Sequence, residues 1–335
     1  MKALVMTKYG DVNNSLAFQE IAKPQINADQ VLIKVHAASI NPVDYRILRG
    51  DAKALMKLNF PAGIGRDVSG VVEAVGDNVT TFAVGDEIFS RVDEPLAGTL
   101  AEYVISNAID SVKKPANLSH EEAASIPLVG ITAYQSLIEV AKLKAGEKVL
   151  IHAGSGGVGT LAIQLAKSIG AFVATTTSTA NVKLVTKLGA DQVIDYKKSN
   201  YLDQIKDFDV VFDTLGGEYC LDAFKVIKKG GRVISVAGEF DAQITKELGL
   251  NCLIRGLLAL KARKVVKAAE QKQATYRFVM MAANGKQLAA LADLFESKVM
   301  TPVIDSVYDF DDSIEALNHL VKGRAKGKII VKIAD

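Results

Sequence analysis

The stretch from Lys148 to Gly170 reads KVLIHAGSGGVGTLAIQLAKSIG and decides the fold. It begins with a continuous apolar run, which is typical of a strand buried on both faces of a parallel sheet. A glycine-rich turn, Gly154–Gly159, follows directly. From Gly157 to Ile169, leucines and an isoleucine recur at helical spacing. The stretch therefore predicts a strand, a tight turn and a helix in immediate succession.

More helix–strand units follow along the chain. Apolar strands alternate with helices, and this alternation predicts a parallel sheet because parallel strands need helical crossovers. The predicted strands are Phe172–Thr175, Gln192–Ile194, Asp209–Phe212, Arg232–Val236 and, as a last strand, Tyr276–Met280. We expect the helix Lys286–Glu296 to close this domain. Residues 125–299 are therefore predicted to form a doubly wound parallel sheet, the Rossmann architecture.

The rest of the chain has a different period. Short alternating runs such as Val31–Val35 and Gly70–Val75 lie between Gly-Asp turns up to about residue 124. This spacing is typical of a small, mostly antiparallel β unit. The tail returns to the same pattern, with an alternating strand at Lys328–Ile333. Residues 1–124 and 300–335 are therefore predicted to form one β-rich domain into which the parallel sheet is inserted.

The glycine-rich turn matches G-x-G-x-x-G between a strand and a helix, which is the context that dinucleotide binding requires. Gly154 would make the tight turn, Gly156 would let a pyrophosphate approach the backbone, and Gly159 would let the helix pack on the strand. The helix N-terminus would offer its N–H groups to the phosphates. The alternative is a purely structural strand–helix turn. The predicted phosphate-binding residues are Gly154, Ser155, Gly156, Gly157, Val158 and Gly159.

The residues after this turn indicate which dinucleotide binds. NAD sites usually carry an acidic residue about 20 positions further on, yet no Asp or Glu occurs from Thr160 to Ala190. Thr177, Ser178 and Lys183 occur there instead. Hydroxyls and an ammonium would hold a 2′-phosphate, which a carboxylate would repel. The sequence therefore predicts NADP(H), and the alternative for these residues is a helix cap beside a solvated lysine.

Composition excludes several classes of protein. The 335 residues carry 40 Lys and Arg against 38 Asp and Glu, which argues against a nucleic-acid binder. Two cysteines and four histidines rule out a disulfide scaffold and a four-cysteine zinc site. The N-terminus lacks the apolar stretch of a secretory signal, and Leu248–Leu260 is too short to span a membrane. We therefore expect a cytoplasmic protein with neither a membrane nor a nucleic-acid partner.

Several sequence blocks, in their order and spacing, resemble the medium-chain dehydrogenase/reductase superfamily, and within it the zinc-independent quinone and enone reductases. The blocks are Ala38–Tyr45, Gly65–Val72, Val84–Ile88, Gly98–Tyr103, Ile126–Tyr134, His152–Gly159, Asp213–Gly217 and Gly323–Lys328. The resemblance covers essentially the whole chain. It implies a GroES-like β-rich catalytic domain, an inserted Rossmann domain and a homodimer.

The resemblance also bears on metal binding. Zinc-dependent relatives place a cysteine near the position of Asn41 and a His-Glu pair near Arg66 and Asp67, and this chain has neither. The stretch Arg91–Glu102, where a structural-zinc loop would fall, contains no cysteine. Zn²⁺ needs thiolate, imidazole or carboxylate ligands that converge in threes or fours. We therefore expect no metal.

The same resemblance suggests catalytic side chains. Asn41 is similar in position to the family's active-site asparagine, where it would donate to a substrate oxygen or order a water; the alternative is a turn residue. Asp44 would orient polar neighbours or cap a helix. Tyr45 would donate a proton or simply pack. Arg66 would stabilise enolate charge, or pair with Asp44 or Asp67.

Further cofactor contacts are implied by the family. Thr132 would lie near the nicotinamide carboxamide, and Arg324 is a predicted cofactor contact in the tail. The residues expected along the adenine and ribose path are Tyr196, Leu215 and Val236. The basic segment Lys261–Lys272 is interpreted as a solvated helical face, and with its apolar upstream half it would form part of the substrate pocket, a lid or a dimer contact.

The hypotheses for function come from different classes. The first is an NADPH-dependent oxidoreductase that transfers hydride to quinones or α,β-unsaturated carbonyls, with a small-molecule carbonyl or quinone as its partner. The second is an enoyl-thioester reductase or a zinc-type alcohol dehydrogenase, and the missing zinc ligands oppose the latter. The third is a non-enzymatic NADPH-binding or sensor protein, because a fold does not determine a function.

Overall fold

The computed structural model describes residues 1–51, 53, 56–93 and 98–334. The chain forms two compact units. The first comprises Met1–Ile131 together with Ala282–Asp335, and the second comprises Thr132–Met281. The domain boundaries predicted from the sequence are 124/125 and 299/300, so the segment inserted into the first unit is shorter than predicted.

Within the described residues, the secondary structure alternates along the chain as follows. The strands are β1 (Lys2–Met6), β2 (Leu16–Glu20), β3 (Gln30–Ile40), β4 (Ala62–Gly63), β5 (Asp67–Val75), β6 (Glu87–Arg91), β7 (Tyr103–Asn107), β8 (Ser111–Lys113), β9 (Lys148–Ile151), β10 (Phe172–Thr177), β11 (Gln192–Asp195), β12 (Phe208–Asp213), β13 (Ile227–Ser235), β14 (Thr275–Phe278), β15 (Ile304–Asp309) and β16 (Lys328–Lys332). The α-helices are α1 (Val12–Ser15), α2 (Pro42–Arg49), α3 (His120–Ala124), α4 (Pro127–Tyr134), α5 (Gly157–Ser168), α6 (Val182–Lys187), α7 (Glu218–Val226), α8 (Ala242–Glu247), α9 (Cys252–Lys272), α10 (Gly285–Glu296) and α11 (Ser313–Val321).

The first unit is built mainly from antiparallel strands. Strands β2, β1 and β4 form a small sheet, and a larger one runs in the order β15-β16-β3-β5-β6-β8, with β7 also paired to β3. Strand β16 pairs antiparallel with β3, and Ile329 lies opposite Ile40. The last strand of the chain therefore delivers Lys328 to the end of β3, next to the start of α2.

The second unit is a six-stranded parallel sheet in the order β11-β10-β9-β12-β13-β14. Numbered from β9, this order is 3-2-1-4-5-6, which is the doubly wound Rossmann order. The strand order reverses between the adjacent strands β9 and β12. Ligands of such sheets bind at the carboxyl ends of the strands at this switch point. The predicted parallel sheet is confirmed.

One predicted element lies in the other unit. The helix Lys286–Glu296 is predicted from the sequence to close the parallel-sheet domain, but the corresponding helix α10 belongs to the first unit. Its apolar face packs on β8 and on the 3₁₀ turn Ala108–Asp110. Asn117 Nδ2 also donates to the Phe295 carbonyl at 3.0 Å. Helical periodicity shows that a helix has a buried face but not which sheet covers it, and for this reason the assignment was wrong.

Candidate functional site

The glycine-rich turn lies where β9 ends and α5 begins, and two of its glycines are enforced by close packing. A Cβ on Gly154 would lie 2.0 Å from Oγ1 of Thr175. A Cβ on Gly159 would lie 2.4 Å from the carbonyl oxygen of Ala153 and 2.7 Å from Cα of Gly154. Neither position has room for a side chain, so the turn can close tightly only with glycine at both.

The middle glycine faces open space. A Cβ on Gly156 would meet nothing nearer than the Ala153 carbonyl oxygen, at 3.4 Å. Gly156 is also the N-cap of α5 and, as a glycine, provides no side-chain cap for the first-turn N–H groups. The first-turn N–H groups of a helix lack intrahelical acceptors and carry the positive end of the dipole. Open space above uncapped N–H groups fits a pyrophosphate, and Ser155, Gly157 and Val158 belong to the same turn.

A group of hydroxyls and an amide lies beside this turn, where β10 ends. Oγ of Ser155 accepts hydrogen bonds from Oγ1 of Thr177 and from Nδ2 of Asn181, each at 3.0 Å. Nδ2 of Asn181 also lies 3.3 Å from Oγ of Ser178. The Oδ1 atom of Asn181 is buried and has no partner among the described residues. The structure thus brings Ser155, Thr177 and Ser178 together and adds Asn181, which sequence reasoning missed.

Charged and aromatic residues flank this cluster of hydroxyl and amide side chains. Lys183 is exposed on α6. Oγ1 of Thr179 donates to Oδ2 of Asp195 at 2.6 Å, and this hydrogen bond is the largest cause of the lowered pKa of Asp195. Tyr196 is half exposed, its backbone N–H donates to the Thr177 carbonyl at 3.1 Å, and Nζ of Lys197 lies 5.2 Å from its ring centroid. No acidic residue occurs from Thr160 to Ala190, but Asp195 at the end of the neighbouring strand β11 places a carboxylate beside Thr179.

The other predicted cofactor residues are less concentrated. Thr132 is buried on α4. Leu215 is exposed after β12, and Val236, partly buried after β13, donates its N–H to the Asp213 carbonyl at 3.1 Å. Arg324 is exposed and belongs to the first unit, where it lines a cavity of about 570 Å³ with His319 and Tyr308.

A buried polar cluster occupies the first unit, where β3, β5, β16 and α2 meet. Oδ2 of Asp67 accepts hydrogen bonds from Oγ of Ser39 at 2.8 Å, Nδ2 of Asn41 at 2.9 Å and Nζ of Lys328 at 3.4 Å. Its other oxygen, Oδ1, accepts from the backbone N–H of Leu128 at 2.8 Å. All four lone-pair directions of a carboxylate can be used in this way. Asp67 is therefore the hub of the cluster.

A second ion pair joins this cluster through Asn41. Oδ2 of Asp44 accepts the backbone N–H of Asn41 at 2.8 Å, and its Oδ1 pairs with the Arg66 guanidinium. Both side chains of the pair are buried. Burial raises the pKa of Asp44, and the nearby Arg66 opposes that shift. Of the two partners considered for Arg66, the structure shows Asp44.

Tyr45 lies outside this cluster. Its ring packs with the apolar core around α2, and the Arg49 guanidinium lies 5.3 Å from its centroid. Successive residues of a helix point about 100° apart, so Tyr45 and Asp44 face different neighbours. Of the two roles considered for Tyr45, packing agrees with this geometry.

Comparisons with known proteins place this geometry in a family. Residues 27–116 match the model of the alcohol dehydrogenase GroES-like domain, and residues 188–331 match the model of the zinc-binding dehydrogenases. The chain is 37% identical to the 2-methylene-furan-3-one reductase of Solanum lycopersicum over 342 residues, covering 99% of this chain and 79% of that protein. It is 36% identical to the chloroplastic NADPH-dependent alkenal/one oxidoreductase of Arabidopsis thaliana, with coverages of 99% and 79%.

A solved structure gives the same result. The quinone oxidoreductase from Coxiella burnetii superposes with a TM-score of 0.87 at 32% identity, covering 99% of both chains. The chain belongs to the medium-chain dehydrogenase/reductase superfamily, among its quinone and enone oxidoreductases. The predicted family and its GroES-like and Rossmann domains are confirmed.

Family membership makes the donor set at the first-unit cluster informative. Within the described residues, no group of three or more His, Cys, Asp and Glu side chains converges as metal ligands would. The polar atoms gathered around Asp67 are instead a hydroxyl, an amide and an ammonium.

Cys220 is buried, and burial raises the pKa of its thiol to about 12, so it is a neutral packing residue. In the part of the chain that the structure describes, no helix is both long and apolar enough to cross a bilayer.

Two residues of this cluster, Lys328 and Asp67, were not predicted as site residues. Lys328 was interpreted as part of an alternating strand, in which lysines normally face solvent, and Asp67 was considered only as a partner for Arg66. The contact between Lys328 and Asn41 joins residues 287 positions apart. The block Gly323–Lys328, quoted for the family resemblance, was the available signal, but nothing in a single sequence shows which strand β16 will pair with.

Proposed function

We propose that this protein is an NADPH-dependent oxidoreductase that reduces quinones or α,β-unsaturated carbonyls without zinc. The observation that carries the proposal is the uncapped N-terminus of α5 beneath the open face of Gly156, beside a cluster of hydroxyl and amide groups. It occurs in a chain of the quinone and enone oxidoreductase family. When bound, NADPH would supply a hydride from its nicotinamide ring.

The second unit's residues would bind the cofactor by charge and hydrogen bonding. The first-turn N–H groups of α5 would hold the pyrophosphate. The hydroxyls of Ser155, Thr177 and Ser178, with the ammonium of Lys183, would hold the 2′-phosphate. The buried Oδ1 of Asn181, which has no partner among the described residues, would accept a hydrogen bond from a ribose hydroxyl. The cofactor contacts predicted for Thr132, Tyr196, Leu215 and Val236 are part of the same proposal, as is the contact predicted for Arg324 of the first unit.

The first unit's cluster would act on the acceptor. Hydride addition to a conjugated carbonyl moves negative charge onto oxygen, and fixed donors aimed at that oxygen lower the barrier. The Nδ2 group of Asn41 has two N–H bonds, and only one is strongly engaged, by Asp67 at 2.9 Å. The other would donate to the substrate oxygen or to a water bound there. Arg66 would contribute positive potential while paired with Asp44.

An enoyl-thioester is the second candidate acceptor, and one observation favours it. A cavity of about 1030 Å³ lies along α9 in the second unit. Its lining mixes apolar residues with three basic side chains and two acidic ones: Arg255, Arg263, Lys267, Asp241 and Glu270. A thioester carrier has phosphate groups and an apolar acyl chain, so it would suit such a lining. The cavity also adjoins the segment that sequence reasoning assigned to a substrate pocket or lid.

The deciding experiment measures NADPH oxidation by purified protein against matched sets of enones, quinones, enoyl thioesters and saturated aldehydes. We expect turnover of enones or quinones, with saturated aldehydes inert. Preferential turnover of enoyl thioesters would favour the second candidate. Intact NADPH binding without turnover of any compound would contradict both and favour a non-enzymatic role. Metal analysis of protein prepared without chelators should find a molar ratio of zinc to protein well below one. A ratio of one zinc per chain would overturn the zinc-free mechanism.

A homodimer in the cytoplasm completes the proposal. Leu253, Leu257 and Leu260 are between 66% and 78% exposed along one face of α9, and an apolar stripe of this kind is typical of an interface. Light scattering should report twice the monomer mass, and Leu257→Glu should lower it. Fractionation of the source cells should find the protein in the cytoplasmic fraction.

A further inference from the structure

Lys328 is a buried lysine whose three N–H bonds are all directed at oxygen atoms. Only 6% of its side chain is exposed. Nζ donates to the Ile40 carbonyl at 3.1 Å, to Oδ1 of Asn41, and to Oδ2 of Asp67 at 3.4 Å. An ammonium has three donors and no acceptor. Its hydrogen-bonding capacity is therefore used entirely inside the cluster.

These contacts fix the orientation of the Asn41 carboxamide. Its oxygen faces an ammonium, which can only donate, and its nitrogen faces the Asp67 carboxylate, which can only accept. A flipped amide would place its N–H groups against the ammonium and its oxygen against the carboxylate. The second N–H of Asn41 has the Ser39 carbonyl as an acceptor at 3.5 Å, which is too long for a strong hydrogen bond.

We propose that Lys328 is a positioning residue for the reduction reaction: with Asp67, it holds the Asn41 carboxamide so that one N–H is kept for the acceptor oxygen. This inference rests on the proposed function. It adds Lys328 to the proposed mechanism and explains why the Asn41 amide is oriented as a donor: Asn41 could donate to the acceptor oxygen only while the Lys328 ammonium contacts its Oδ1. The contact of Lys328 with the Ile40 carbonyl anchors the ammonium to the backbone at the end of β3.

Charge balance within the cluster explains how Lys328 can be buried in its charged form. The cluster contains two carboxylates, Asp44 and Asp67, and two cations, Arg66 and Lys328, all of them buried. Burial lowers the pKa of Lys328, whereas Asp67 and Asp44 raise it and favour the charged form. Removing one buried charge leaves its partner uncompensated, which is strongly destabilising. A test must therefore separate loss of folding from loss of orientation.

The first experiment is chemical rescue of Lys328→Ala, which removes the atoms of an n-propylammonium ion. We expect kcat for an enone or quinone to fall about a hundredfold with KM nearly unchanged, because the lost donor acts in the transition state. Added n-propylammonium should restore part of kcat, whereas 1-propanol, which has the same length and no charge, should not. Lys326→Ala, on an exposed lysine two residues before Lys328, is the matched control and should behave as the wild type.

The second experiment removes both charges, so that folding does not depend on the pair. Lys328→Met combined with Asp67→Asn leaves no unpaired charge, and we expect a stable protein whose kcat stays about a hundredfold low. This double variant should not respond to n-propylammonium, because methionine fills the space. A folded double variant with wild-type kcat, or a folded Lys328→Ala protein with wild-type kcat, would overturn the proposal.

A third measurement is independent of turnover. In protein labelled with ¹⁵N-asparagine, the side-chain amide pair of Asn41, assigned by its loss in Asn41→Asp, should shift strongly in Lys328→Ala, which leaves Asp67 in place, and stay unchanged in Lys326→Ala. An unshifted pair would contradict the positioning role. If the wild type binds NADPH but reduces no enone, quinone or thioester, the proposed function fails, and the amide spectrum still decides whether Lys328 orients Asn41.

Discussion

Oγ of Ser155 lies 3.0 Å from both Oγ1 of Thr177 and Nδ2 of Asn181, so one hydroxyl of the glycine-rich turn joins the end of β10 to the turn before α6. This contact joins the turn proposed to bind the pyrophosphate and the residues proposed to bind the 2′-phosphate in one hydrogen-bonded unit. The cofactor preference of the protein should therefore respond to changes at this unit that leave the sheet intact.

The clearest prediction compares two glycines of the same turn. In Gly156→Ala the new methyl group has room, since its nearest atom is 3.4 Å away, but it occupies the open face. We expect normal folding and an NADPH Kd raised about tenfold or more, which corresponds to about 1.4 kcal/mol. In Gly159→Ala the methyl group would lie 2.4 Å from a backbone oxygen, so we expect a loss of about 1–3 kcal/mol of stability. Urea unfolding and fluorescence titration of NADPH measure the two effects, and equal affinity of Gly156→Ala and wild type would contradict the phosphate role.

A second prediction concerns the 2′-phosphate. Lys183→Ala should weaken NADPH binding about tenfold, because a charge-assisted hydrogen bond is worth about 1.5–3 kcal/mol, while NADH binding should be unchanged. Lys187→Ala, an exposed lysine one turn later on α6, is the matched control. The ratio of the two dissociation constants measured by titration decides the matter. An equal loss of NADH and NADPH affinity would remove Lys183 from the 2′-phosphate site.

Asp195 leads to a third prediction at the same edge. Its carboxylate is held by Thr179 at 2.6 Å and stays ionised, since its pKa is lowered. A carboxylate near a 2′-phosphate opposes it electrostatically. We expect Asp195→Asn to tighten NADPH binding and to leave NADH binding unchanged or weaker. Tighter binding of NADH in the variant would show that Asp195 does not face the 2′ position.

The parallel sheet, the glycine turn and the family could be predicted because each is encoded locally: an apolar strand, a turn and an amphipathic helix follow one another within 23 residues from Lys148. The buried cluster could be predicted only in part. Asn41, Asp44 and Arg66 were candidates, but Lys328 arrives through the pairing of β16 with β3, which no local pattern encodes. Asn181 was missed because its importance is an unpaired oxygen, a property that exists only in three dimensions.

The buried Asp44–Arg66 pair should matter to stability far more than a surface pair. Arg66→Met leaves the Asp44 carboxylate buried without its partner, at a cost of about 3–5 kcal/mol. Glu73→Gln breaks the exposed pair between Lys23 and Glu73, whose N–O distance is 2.6 Å, and should lower stability far less, because solvent screens an exposed pair. Urea unfolding compares the two variants directly. A loss in Arg66→Met no larger than that in Glu73→Gln would show that the Asp44 carboxyl is not held in its charged form.

The last prediction is that the free energy of unfolding falls on acidification because a pair of stacked histidines has lowered pKa values in the folded protein. The rings of His36 and His120 stack with centroids 4.5 Å apart, and Nδ1 of His120 lies 2.8 Å from Oγ of Ser69. Burial, with repulsion from His36, lowers the pKa of His120 to about 4, although Glu87 and Glu121 oppose the shift. Burial likewise lowers the pKa of His36.

The sign follows from proton counting. Between the unfolded pKa of about 6.5 and the folded value, the unfolded chain binds more protons, so stability is complete above about pH 6.5 and decreases as the pH falls toward 4. His152, whose pKa burial also lowers to about 4, adds to the same decrease. We expect His120→Gln to reduce the slope of unfolding free energy against pH in this range, measured by urea unfolding at several pH values. An identical slope in wild type and His120→Gln would show that the stacked pair does not titrate on unfolding.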